Sequence, residues 1–217
     1  MPNAKTIIHP RNFDGVLFDL DGVVTKTASV HGAAWKLMFD GVLKKMAGSQ
    51  AFVPFDLETD YPLYVDGKPR IKGIEDFLAS RNIVLDPARD DDRNIGHTLE
   101  DLGRRKNKLF LDLLEKQGVK VYPSTLDLVD ELKKNGFKTG VVSSSENCVQ
   151  ILKSAKIETL FDVRVDGVVA QKMGLLGKPS PQTFLEAARQ LGVEKERNVQ
   201  NSVSRFRFPD LPQRQRK

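Results

Sequence analysis

The stretch FDLDGVVTKT, Phe18–Thr27, ends an apolar run and places two aspartates, Asp19 and Asp21, one residue apart. Three consecutive apolar residues precede them and Gly22 follows as a breaker, which predicts a short buried strand over residues 13–20. In open parallel sheets, reactive groups gather at the carboxyl ends of the strands. The sequence therefore predicts that both carboxylates lie at the end of a buried strand, facing one cleft.

Composition is that of an ordinary globular protein, with 40% hydrophobic and 29% charged residues among 217. No apolar run is long enough to cross a membrane, and the first residues contain no apolar signal-peptide segment. The single cysteine, Cys148, excludes an internal disulfide framework and favours a cytoplasmic location. We therefore expect a cytoplasmic protein without a membrane partner.

The net charge of +5 is unevenly distributed. Five basic residues and one acid between positions 205 and 217 account for +4 of it. The rest of the chain has no basic face, so nucleic-acid binding is not predicted.

Alternating strand and helix patterns from about residue 117 onward predict an α/β fold with a Rossmann-like parallel sheet. The first strand precedes its next sheet partner by more than 100 residues, and the segment between is mostly helical. Three prolines and two glycines predict an irregular loop over residues 48–70 of that segment. Further along the chain, residues 161–169 are predicted as a strand region. We expect three parts: a Rossmann-like core formed by 1–27 and 117–203, an inserted helical cap at 28–116, and a basic, disordered tail at 204–217.

Two aspartates at a strand end suit phosphoryl transfer. Asp19 can accept a phosphoryl group as an aspartyl-phosphate, and Asp21 can act as general acid and then base. Carboxylates this close repel each other unless a cation neutralises them, and Mg²⁺ prefers oxygen ligands and bridges to phosphate. The alternative is a turn with two solvated acids, since Asp and Gly are common turn residues.

Two later segments also end strands with groups that suit phosphate. In GVVSSSEN, Ser143 can donate a hydrogen bond to a phosphate oxygen, or else cap the next helix. In GLLGKPSPQTF, Lys178 can neutralise the phosphate and the nucleophile, or else be an exposed loop lysine.

Together, in this order, the three motifs resemble those of the haloacid dehalogenase superfamily of phosphotransferases, over residues 13–199. The resemblance implies that Asp19 is the nucleophile, that Asp21 is the acid/base and that both serve a Mg²⁺ site. It further implies that Ser143 and Lys178 bind phosphate. In this superfamily, the insertion after the first motif is a helical cap.

The opening FDLDGVVTKTASVHGAAWK is similar to that of the β-phosphoglucomutase-like subfamily through Thr27, His31 and Trp35. There, the counterparts of Thr27 and His31 help to hold the acid/base aspartate. VDGKPR makes Arg70 a candidate ligand for the distal phosphate of a sugar phosphate. RRKN and SSSEN add four candidate contacts, namely Lys106, Asn107, Ser144 and Asn147. Alternatively, His31 lies on a helix surface, Trp35 in the core and the basic run at 104–106 in solvent.

The superfamily pattern breaks after Val199. An acidic pair that completes the Mg²⁺ site should follow, but the remaining sequence has one acid, Asp210, between prolines. We therefore expect a core truncated at its C-terminal end and an impaired site. The resemblance implies Mg²⁺-dependent phosphoryl transfer on a sugar phosphate, as a mutase or as a phosphatase. The alternative is a catalytically inactive protein that retains a phosphate-binding cleft.

Overall fold

The computed structural model describes residues 8–85, 98–194 and 197–201. Its centre is a four-stranded, fully parallel sheet with the spatial order β3-β2-β1-β4. The strands are β1 (Gly15–Asp19), β2 (Lys138–Val142), β3 (Val163–Val165) and β4 (Asn198–Asn201). The predicted parallel α/β sheet is thus confirmed.

The central strand β1 is buried along its whole length, as its unbroken apolar sequence requires. Val16 and Phe18 face one hydrophobic cluster, and Leu17 faces another on the opposite side of the sheet. Helices therefore have to cover both faces. Four helices of the sheet region are α4 (Pro123–Lys134), α5 (Cys148–Ser154), α6 (Gly167–Lys172) and α7 (Gln182–Leu191).

The segment between β1 and β2 contains the helices α1 (Ala28–Ala47), α2 (Arg70–Ser80) and α3 (Leu99–Gln117). It has a hydrophobic cluster of its own, in which aromatic rings stack around Phe39. The other ends of α1 and α3 join the cluster beneath the sheet through residues such as Val30 and Phe110. The inserted helices are consequently anchored on the core while retaining a separate apolar centre.

Two predicted segments differ from the observed structure. The region 48–70 was predicted as a loop because of its prolines, but Tyr61–Val65 forms a π-helical turn with a proline in its first turn, where a missing N–H costs nothing. The region 161–169 was predicted as strand, but the strand ends at Val165. Asp166 accepts a hydrogen bond from the backbone N–H of Val169 and so begins α6.

The boundaries 1–27, 28–116 and 117–203 remain predictions. Residues 202–217 lie outside the described residues, and the predicted tail at 204–217 and Asp210 are among them. The acidic pair expected after Val199 falls at or beyond the end of β4. In the part of the chain that the structure describes, no helix is both long enough and apolar enough to cross a membrane.

Replacing Phe39 by alanine tests the separate apolar centre of the insertion. Phe39 is fully buried among Trp35, Phe55 and Phe77. We expect Phe39→Ala to lower the free energy of unfolding by about 3–5 kcal/mol, measured by urea denaturation. Leu37→Ala, at a half-exposed position of the same helix, is the matched control and should change it by less than about 1 kcal/mol. Equal effects of the two changes would contradict this packing.

Candidate active site

Asp19 ends β1 and Asp21 lies in the turn that follows; both line one cleft, which also contains His31, Arg70 and Lys178. Gly22 makes the turn possible because its φ of +83° is a conformation that favours glycine. The backbone N–H of Leu20 donates a hydrogen bond to Asp19 Oδ1 at 2.8 Å, which orients that carboxylate. The two aspartates are therefore held in a cleft, and the alternative of a turn with two solvated acids is wrong.

Asp19 and Lys178 form a buried ion pair at the centre of the cleft. Lys178 Nζ lies 2.6 Å from Asp19 Oδ2, and both residues are less than 10% exposed. Burial raises the pKa of Asp19 above its ordinary value, although the adjacent ammonium group acts in the opposite direction. Lys178 is thus not an exposed loop lysine: it neutralises the carboxylate at the strand end.

The Asp21 carboxylate is surrounded by Thr27, His31 and Ser143. The Thr27 hydroxyl donates to Asp21 Oδ1 and is itself 2.6 Å from the hydroxyl of Thr25. Burial would raise the pKa of Asp21, but neighbouring His31 and the hydrogen bond from Thr27 lower it below its ordinary value. Ser143 Oγ is 3.5 Å from Asp21 Oδ2. These contacts favour an ionised carboxylate.

His31 links Asp21 to the inserted helix α3. Its Nε2 is 3.5 Å from Asp21 Oδ1, its Nδ1 is 2.7 Å from Lys106 Nζ, and its ring stacks on Phe110. Burial and the nearby lysine lower the pKa of His31. Lys106 is therefore buried and the His31 side chain is only 13% exposed, so neither faces solvent, whereas Arg104 of the same basic run does.

Lys106 is a buried lysine between aromatic rings. Its Nζ lies 4.8 Å from the centre of the Trp35 ring and 5.0 Å from that of Phe110. Burial, with repulsion from Arg70, lowers the pKa of Lys106 to about 7. Trp35 belongs to the core of the insertion and also lines the cleft, so its two predicted positions are compatible.

The loop after β2, residues 143–147, brings the core against the insertion. Ser144 Oγ donates to the backbone oxygen of Gly67 at 2.7 Å, and the amide of Asn147 donates to Asn107 Oδ1 at 2.8 Å. Arg70, the first residue of α2, donates to Glu146 of this loop. Eight predicted site residues line the cleft, namely Asp19, Asp21, His31, Arg70, Lys106, Ser144, Asn147 and Lys178. The other two, Thr27 and Ser143, are not part of its lining but lie against Asp21.

Ser143 follows β2 directly, opposite the end of β1, because Asp19 and Val142 are paired in register. Its Oγ accepts a hydrogen bond from the backbone N–H of Ser145. Asn147, not Ser143, occupies the N-cap position of α5. The helix-capping alternative for Ser143 is therefore wrong.

Two acidic residues that line the cleft, Asp66 and Glu146, are not among the predicted site residues. Asp66 follows the π-helical turn, and burial raises the pKa of its carboxyl group. Both lie inside quoted motifs, VDGKPR and SSSEN, so their positions could have been flagged. Their orientation depends on how the insertion packs against the core, which no local pattern reveals.

The oxygen ligands of the cleft fit Mg²⁺ bound partly by the protein. This ion is commonly held by one or two carboxylates, water and substrate phosphate. Asp19 offers a carboxylate, and Asp21 offers either its carboxylate or its backbone oxygen. Across residues 8–85, 98–194 and 197–201, no three His, Cys, Asp or Glu side chains converge as a metal cage. The described donors thus suit an ion completed by substrate and water.

Comparison with known proteins assigns most of the chain to one family. A haloacid dehalogenase-like hydrolase family matches residues 13–199, most of the chain. The chain belongs to this family. The match covers the same residues over which the motifs resemble the superfamily, so the predicted family membership is confirmed.

Within the family, the chain is a β-phosphoglucomutase-like member. It is 41% identical to a β-phosphoglucomutase of Mycobacterium bovis, over 85% of this chain and 71% of that protein. It is 32% identical to a β-phosphoglucomutase of Bacillus subtilis, over 82% and 70% of the two chains.

Solved structures agree in fold. The β-phosphoglucomutase of Clostridium difficile superposes with a TM-score of 0.66 at 23% identity, over 87% of this chain and 75% of that one. The protein CbbY of Rhodobacter sphaeroides, crystallised with phosphate, gives 0.62 at 26% identity, over 87% and 76%.

The pKa of Lys106 leads to a pH-dependent stability. The pKa of Lys106 is about 7 in the folded protein, and its ordinary value is 10.5. At a pH between these two values, Lys106 is protonated in the unfolded chain but has lost its proton in the folded protein. The free energy of unfolding should therefore rise with pH through this window. We expect that rise to be smaller in Lys106→Met, as measured by urea denaturation from pH 7 to pH 10.

The matched control is Lys108→Met, at an exposed position of the same helix, which should keep the dependence of the wild type. Parallel curves for the wild type and Lys106→Met would contradict a buried lysine that titrates near neutrality.

Proposed function

We propose that this protein catalyses Mg²⁺-dependent phosphoryl transfer on a sugar phosphate through an aspartyl-phosphate at Asp19. The observation that carries the proposal is the buried pair of Asp19 and Lys178 at the end of β1, which opens into the same cleft as Asp21. The β-phosphoglucomutases among its relatives support the substrate class.

In the first step, an Asp19 carboxylate oxygen attacks phosphorus, and the bond to the sugar oxygen breaks. The anionic phosphate bound beside Asp21 raises the pKa of its carboxyl group, as a nearby like charge does, and Asp21 in its protonated form gives the proton to the departing oxygen. In the second step, Asp21 takes a proton from water or from a sugar hydroxyl, whose oxygen attacks the aspartyl-phosphate and regenerates Asp19. The Thr27 hydroxyl and His31 favour ionised Asp21, the form required of the base in this step.

The transferring phosphoryl group needs positive charge and hydrogen-bond donors around it. Lys178 supplies the charge, and Ser143 supplies a hydroxyl beside Asp21. Bound Mg²⁺, held by Asp19 and Asp21, would add neutralisation of the phosphate oxygens. Ser144 and Asn147 are candidate contacts for the substrate on the core side of the cleft.

Positive groups of the insertion suit the far end of a sugar phosphate. Arg70 presents a planar guanidinium group that can bind a distal phosphate with two hydrogen bonds. Lys106 and His31 lie deeper, beside Asp21. Asp66 can accept hydrogen bonds from sugar hydroxyls. A cleft that recognises both ends of the substrate favours a mutase, in which the second acceptor is a sugar hydroxyl; a phosphatase uses water.

A catalytically inactive, phosphate-binding protein is the second candidate, favoured by the two-carboxylate donor set of the described residues. The same assay decides between the candidates. The predictions of a cytoplasmic location and of no nucleic-acid partner stay predictions.

Replacing the nucleophile is the primary test. We expect Mg²⁺-dependent phosphate release from an aryl phosphate and from sugar phosphates, together with isomerisation of glucose 1-phosphate, to fall at least about a thousandfold in Asp19→Asn. Ser180→Ala, at a loop serine outside the cleft lining, is the control and should keep its activity. Phosphate binding without turnover by the folded wild type would support the inactive alternative.

Replacing Arg70 tests substrate recognition. A charge-assisted hydrogen bond contributes about 1.5–3 kcal/mol. We therefore expect Arg70→Gln to raise the KM for a sugar bisphosphate about ten- to a hundredfold, and that for an aryl phosphate far less. Lys72→Gln, on the same helix but outside the cleft lining, is the charge-matched control. An equal rise for both substrates would contradict distal-phosphate binding by Arg70.

A further inference from the structure

Arg70 already has an anionic partner in the ligand-free protein. Its guanidinium group donates to the carboxylate of Glu146 and, through Nη1, to the backbone oxygen of Gly103 at 3.3 Å. The Arg70 side chain is 17% exposed, whereas that of Glu146 is 49% exposed. A mostly buried cation is therefore paired with an acid that remains accessible to water.

The backbone that presents Glu146 has little room to move. The hydroxyl groups of Ser143 and Ser145 accept hydrogen bonds from the backbone N–H groups of Ser145 and Asn147. Gly167 packs so closely against this loop that an added Cβ atom would lie 2.7 Å from the backbone oxygen of Ser144. Departure of Glu146 from Arg70 would thus be a rotation of its side chain into solvent.

The charge balance of the cleft gives Glu146 a functional consequence. Among the described residues that line it, four are cationic (Lys68, Arg70, Lys106 and Lys178) and four are acidic (Asp19, Asp21, Asp66 and Glu146). A phosphate that approaches Arg70 therefore meets a carboxylate already bound there, and like charges repel each other.

We propose that Glu146 occupies the place of the substrate's distal phosphate in the ligand-free protein, and that substrate binding replaces this carboxylate at Arg70. The inference rests on the proposed function and deepens it. Glu146 sets the affinity of this end of the cleft: it lowers the affinity for every distal group that binds Arg70, a phosphate included, and affects substrates without a distal group less. It also holds the insertion against the core until substrate arrives.

An accessible ion pair contributes about 0.2–1 kcal/mol, which corresponds to a change of up to about fivefold in affinity. We expect Glu146→Gln to lower the KM for glucose 1,6-bisphosphate about two- to fivefold, and that for an aryl phosphate less. In the Arg70→Gln background, the same change should have no such effect. Glu158→Gln, an exposed position outside the cleft lining, makes the same charge change and should leave both KM values unaltered.

Hydrogen exchange of the ligand-free protein provides a readout that does not depend on turnover. Peptides that cover 66–72 should exchange faster in Glu146→Gln than in the wild type or in Glu158→Gln. An unchanged or increased KM for the bisphosphate in Glu146→Gln would show that Glu146 does not compete with the distal phosphate for Arg70. Unchanged hydrogen exchange would show that the contact between Glu146 and Arg70 does not hold the insertion. If the wild type turns over no phosphate ester, the proposed function and the competition both fail, whereas the exchange result still decides whether Glu146 holds the insertion.

Discussion

The buried pair formed by Asp19 and Lys178 is the interaction on which the rest of the site depends. A carboxylate at the end of a central strand is costly to bury unless a cation and hydrogen bonds compensate it. Lys178 provides the cation at 2.6 Å, and the backbone N–H of Leu20 provides a hydrogen bond. The residue that neutralises the carboxylate is also well placed to neutralise a phosphoryl group.

The inserted helices determine what can happen next to that pair. They bring Lys106, Arg70 and Asp66 over the strand ends, and they contact the core through the loop 143–147. Several of these contacts join charged groups that would otherwise be hydrated. The insertion thus combines two features, since the side chains proposed to recognise the substrate also hold the cleft together.

The predicted parallel sheet, family and family range are confirmed, because each rests on motifs that lie next to a strand end. The prediction of loop over 48–70 was wrong at Tyr61–Val65, where a proline begins a helical turn. The prediction of strand up to residue 169 was wrong because Asp166 caps a helix. A local pattern cannot distinguish a proline or an aspartate that breaks an element from one that begins it.

The sequence by itself determined which strand carries Asp19 and Asp21, and which two later segments supply Ser143 and Lys178, because strand, turn and motif are local. Only the tertiary structure decided which charges meet. Arg70 and Glu146 are 76 positions apart, and Lys106 and His31 are 75 apart. Their pairing follows from how the helices and loops pack, and the lowered pKa of Lys106 follows from its burial; both are properties of the assembled fold.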